Sequence, residues 1–185
     1  MPGGWAIAYD DVVESNVGQV ERRTLGISET FNRSNWFNYI RVGTTGGAVA
    51  AFIFLAYQIL LSSTSDVVAA FKMPASITLG QAAMSKMSPV VIVVATGLVN
   101  NVIIGAWWGL VFGFMLALAG SKWASGGIVT LAMVFGSLVW LLSFYLIAPL
   151  IWPWLRPLSS VRLFVGHVFF FGLPLGLWVA SRIKS

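Results

Sequence analysis

The chain has 185 residues, of which 58% are hydrophobic and only 9% charged, far from the roughly 25% charged of soluble domains, so it is a membrane protein. It has no cysteine, hence no disulfide, thiolate nucleophile, iron–sulfur cluster or thiolate zinc site, and its single histidine, His167, excludes a multi-histidine metal site within one copy. The net charge of +5 is scattered along membrane edges and forms no patch, which speaks against nucleic-acid binding.

Residues 1–41 are polar and mixed in charge, with no basic start followed by an apolar run. They read as a polar N-terminal extension kept on the mature protein, neither a secretory signal nor a transit peptide. Near its end Ser34 or Asn35 can cap a helix whose Trp36, Phe37 and Ile40 share one face, an interfacial lead-in helix.

Residues 42–185 form the membrane domain. A hydrocarbon core about 30 Å thick needs about 20 apolar helical residues, and four charge-free stretches qualify. They are 44–61, 90–119, 127–148 and 161–180. Pro89 suits the start of the second, Pro149 is expected to end the third, and Arg182 with Lys184 closes the fourth. The expected fold is an all-α membrane protein of four transmembrane helices.

Between the first two spans, Pro74 is expected to break the chain and Ser76 to cap a short helix lying on the membrane, with Ile77, Met84 and Met87 on one face. The 149–160 connection, PLIWPWLRPLSS, holds three prolines and two tryptophans and reads as a stiff interfacial anchor. Arg156 and Arg162 are its candidates for lipid-headgroup binding.

Four spans put both termini on one side, with Arg22, Arg23, Arg33, Arg41, Lys122, Arg182 and Lys184 there and Lys72, Lys86, Arg156 and Arg162 opposite. Seven against four favours cytoplasmic termini in a prokaryotic inner membrane or its equivalent. Trp36, Trp123 and Trp178 on one side and Trp152 and Trp154 on the other fit two interfacial belts.

The first and third spans align without gaps at an offset of 80, setting Gly46-Gly47 on Gly126-Gly127, and the second and fourth at an offset of 67, setting Gly105 and Gly109 on Gly172 and Gly176. Two tandem hairpins related by a pseudo-two-fold axis along the membrane normal would follow.

Gly105, Gly109 and Gly113 make a GxxxGxxxG ridge, and Gly172 and Gly176 a shorter one, the usual device for close helix packing in lipid. Whether the ridge meets the bundle or a partner is open at this level. Pro174 should kink the fourth span by freeing the Phe170 carbonyl. Asn100, Asn101 and His167 are the strongly polar residues well inside the second and fourth spans, with Gln58 near the end of the first. They suit intramembrane hydrogen bonds, with Asn100 and His167 expected to meet. His167 also suits a haem or chlorophyll-type pigment, for which Gly166 and Gly172 would leave room, or a solute path.

All six acids precede the second span, so the bundle has no carboxylate pair, no Ser/His/Asp set and no metal-ligand spacing. No catalytic or metal residue is expected. The reading that follows is a noncatalytic accessory subunit of a larger integral membrane complex, energy-converting or similar, in contact with lipids and other integral subunits. The alternative is a small transporter or channel for a neutral or anionic solute.

Overall fold

The structure is a computed structural model that describes residues 33–62, 66–119, 124–158 and 161–183. Residues 1–32 of the expected N-terminal extension lie outside the described residues, as do Lys122, Trp123 and Lys184. The chain divides between Trp36 and Phe37, and the packing below is that of the unit Phe37–Ser185.

Every regular element among the described residues is helical. α1 (Arg33–Leu61) is followed by α2 (Ala69–Leu79), a 3-10 turn (Gln81–Met84) and α3 (Val90–Ala119). α4 (Ser125–Ile151) leads through a second 3-10 turn (Pro153–Leu158) into α5 (Val161–Arg182). α1, α3, α4 and α5 are long and apolar enough to cross a membrane, and the protein is an integral multi-pass membrane protein.

The limits of α3 are those expected from sequence, but three other expectations need correcting. The lead-in residues 33–41 and the first span are one continuous helix, because no proline or glycine pair interrupts Arg33–Gly43. Pro74 lies inside α2 without breaking it. Ser76 caps nothing; it is buried, and its hydroxyl donates to the Met73 carbonyl at 2.8 Å. The turn comes instead at Gly80, whose φ of +73° suits a residue without a Cβ.

The third correction concerns Pro149, which does not end its span. α4 runs through Pro149 to Ile151, and α5 runs through Pro174. A proline ring collides with the carbonyl four residues back and offers no amide proton to it. Both helices absorb this with a wider π turn just before the proline, Leu142–Ile147 in α4 and Gly166–Gly172 in α5. Accordingly Ala148 N–H donates to the Ser143 carbonyl and Leu173 N–H to that of Val168, five residues back in each case.

Lipid gives helices no hydrophobic reason to associate, so close backbone approach carries the assembly. The α3 ridge turns inward onto α1: a Cβ on Gly109 would stand 2.7 Å from the Gly47 Cα, and one on Gly43 would stand 2.8 Å from the Gly113 Cα. Gly105 faces Ala51 and the Gly47 carbonyl. On α5, Gly172 meets the Ala132 carbonyl and Gly176 meets Val129 and Ala132. Gly46 receives Trp178 and Leu175, closing α1 on α5. Phe112, Leu116, Leu175 and Val179 fill the centre.

In both hairpins, then, aligned glycines of the second helix seat the first. At the offset of 80, Gly47 and Ala51 correspond to Gly127 and Leu131, so the α5 contacts at Val129 and Ala132 fall two and one residues further on. The π turns have no counterpart in α1 or α3.

α3 and α4 meet through Trp108 and Phe112 against Phe135, at ring separations of 6.1 and 5.2 Å. On the side away from the Arg182 end, beyond that contact, a cleft separates them.

Candidate functional site

Asn100 and Asn101 are neighbours on α3, turned about 100° from one another on an α-helix, and they serve different partners. Asn100 Nδ2 donates to the Pro74 carbonyl at 2.9 Å and to the Thr78 hydroxyl, fastening α2 to α3. Asn101 Nδ2 donates to the Ala51 carbonyl of α1 at 2.8 Å. The expected pairing of Asn100 with His167 therefore fails. It is Asn101, on the bundle side of α3, that shares a cavity with His167.

α2 is held from its other side by the connection after α4. Trp152 Nε1 donates to the Ile77 carbonyl at 3.1 Å and Trp154 Nε1 to the Ser76 hydroxyl at 3.2 Å. The Pro- and Trp-rich loop thus clamps α2, and three tethers make α2 the floor of the cleft.

The cleft holds a cavity of about 280 Å³ between α3 and α4, reached past Trp107, which is 59% exposed. Met73, Pro74 and Ile77 of α2 line one end; Phe54, Trp108 and Phe144 line its walls. A narrower extension of about 70 Å³ continues inward to Ala51, Gly105, Val139 and Phe171. Three polar residues border both spaces: Asn101, Ser143 and His167. Ser143 sits in the π turn of α4 and His167 in that of α5, so the two wide turns flank one cavity.

His167 is 9% exposed, with Phe54 at 4.7 Å and Phe144 at 6.0 Å in edge-to-face contact. Its Nδ1 lies 2.7 Å from the Leu163 carbonyl. A carbonyl only accepts, so Nδ1 carries the hydrogen, and Nε2 is the basic nitrogen of the neutral ring. Ser143 Oγ and His167 Nε2 have no side-chain or backbone partner among the described residues.

The room expected beside His167 for a macrocycle is taken. Gly166 is filled by the rings of Phe54 and Tyr57, and Gly172 by the backbone of α4. Tyr57 also stacks on Phe170 at 4.1 Å, and its hydroxyl donates to the Arg162 carbonyl at 3.0 Å. These two glycines seat neighbouring helices and open no space for a macrocycle at their own positions.

Of the other sequence candidates, Arg162 is exposed at the start of α5, and the Arg156 side chain lies outside the described residues. Gln58 Nε2 is buried without a partner, apart from the cavity. No group of three metal-ligating side chains occurs among the described residues. Ser143, Phe54 and Trp107 escaped the sequence reading, and Trp152 was read only as an interfacial anchor. A serine six residues before Pro149 in an apolar run was the available signal, and it needed the π turn to give it meaning. No family model, curated protein or solved structure matches the chain.

Proposed function

We propose that the protein is a noncatalytic subunit of a larger integral membrane assembly, working through the outer faces of its helices among lipids and other membrane-spanning chains. One observation carries this reading: the two asparagines of α3 are used as fasteners. Asn100 and Asn101 each hold a carbonyl of a neighbouring helix. Such bonds order a bundle. What faces outward is large and apolar, above all the α3 face of Val99, Ile103, Trp107 and Leu118. We place the Arg33 and Arg182 ends on the cytoplasmic side of a prokaryotic-type inner membrane, supported by the seven basic residues on that side of the spans.

Photocrosslinking tests the reading. A photoreactive residue at Val99 or Leu118, excited in intact membranes, is expected to capture other integral chains with reproducible masses. Capture of lipid alone from every outward position would contradict it.

A second reading, a passage for a neutral or anionic solute, is favoured by the cleft at Asn101 and His167. It predicts flux in proteoliposomes that Ala148→Trp, which fills the cleft, abolishes. Equal flux in the variant removes this path.

A further inference from the structure

We propose that the cleft between α3 and α4 is a binding site for an uncharged, lipid-soluble aromatic alcohol, a phenol or a quinol, whose hydroxyl donates to His167 Nε2.

The chemistry of the wall selects this class. No lysine, arginine, aspartate or glutamate lines the cavity, so nothing there balances an ionised ligand. Phe54, Trp107, Trp108, Phe144 and Trp152 surround it with aromatic surface, which favours a planar ring in offset or edge contact. About 280 Å³ is at the small end of ligand pockets, enough for a single substituted ring and too little for a macrocycle.

Hydrogen-bond accounting then fixes the polar end. The Leu163 carbonyl holds the Nδ1 hydrogen, leaving Nε2 as an acceptor. The Ala51 carbonyl takes one Nδ2 hydrogen of Asn101, leaving Oδ1 as a second acceptor and the other Nδ2 hydrogen as a donor. Ser143 Oγ, also on the wall, can accept or donate. His167 Nε2 alone can only accept, and it calls for a ligand that brings a donor. An alcohol supplies it, whereas a ketone or an ether does not. Acceptors left unmet at this depth have no bulk water to turn to.

The two π turns reinforce the assignment. They bring Ser143 from α4 and His167 from α5 to the same cavity, and irregular helical turns of this kind recur at functional sites. Trp107, on the exposed side of α3, places the mouth toward the hydrocarbon, so the ligand enters from the bilayer.

The test uses the full chain in detergent micelles, with a brominated phenol and its methyl ether as probes and quenching of tryptophan fluorescence as the readout. The phenol is expected to quench saturably, with fluorescence restored by excess unbrominated phenol. The ether, unable to donate, is expected to bind about tenfold or more weakly. His167→Phe keeps a ring in place and removes the acceptor, and should weaken the phenol to the level of the ether while leaving the ether unchanged. Unsaturable quenching by the phenol, equal affinity for phenol and ether, or full phenol affinity in a folded His167→Phe protein would each overturn the proposal. The comparison of the two probes on the unaltered chain decides the matter even where the variant does not fold.

Discussion

At the scale of single residues, the two adjacent asparagines show how little separates one structural duty from another. Asn100 tethers α2 and Asn101 tethers α1, so their substitution should loosen different contacts. Asn100→Ala should cost about 0.6–2 kcal/mol in a detergent unfolding titration, the range of interhelical hydrogen bonds in bilayers. Amide exchange across Ala69–Leu79 should speed up, with α5 unaffected; unchanged exchange there would refute the tether. Asn101→Ala should cost a similar amount and leave α2 protected. The sequence marked both residues as intramembrane polar contacts, and each bonds a carbonyl of a neighbouring helix. Their partners were not legible, because each bonds a backbone carbonyl, at Pro74 or Ala51, and such a carbonyl leaves no trace in residue type. His167 stood out for the same reason as the asparagines, whereas Ser143 did not. A lone serine in an apolar helix usually bonds its own preceding turn, and only the π turn sets this one on a shared wall.

Helix packing makes sharper demands. Gly109 lies against the backbone of α1, so Gly109→Leu must force α1 and α3 apart. It should cost at least about 1–3 kcal/mol, as overpacking generally does. Gly126, at the start of α4, has open space where a Cβ would stand. Gly126→Ala should therefore be neutral or should stabilise by up to about 1 kcal/mol through helix propensity. Thermal melts of the two variants in the same detergent check the contrast, and equal melting temperatures would show that the α1–α3 seam is not the close contact described. The span positions were legible because charge-free length is a direct consequence of bilayer thickness. The second span, 90–119, was read to the residue. The end of the third was misjudged at Pro149, since a proline rule assumes α geometry and the wide turn at Leu142–Ile147 evades it. The ridge of Gly105, Gly109 and Gly113 was visible, but not its mate: Gly47 was singled out only for the internal repeat, and Gly43 was not singled out at all.

For the whole molecule, the proposed association is supported by the asparagine bonds that order the bundle and by the apolar surface left outside it. In the most apolar windows of α1, α3 and α4 33% of residues are buried within this chain, and in α5 44%, so each helix keeps apolar surface that this chain does not cover. The measurement that tests that reading most directly is native mass spectrometry of the protein released from its own membranes in a mild detergent. The account predicts a species heavier than the 20.0 kDa chain by whole numbers of other membrane proteins at fixed stoichiometry. A monodisperse species containing this chain and lipid alone would contradict it.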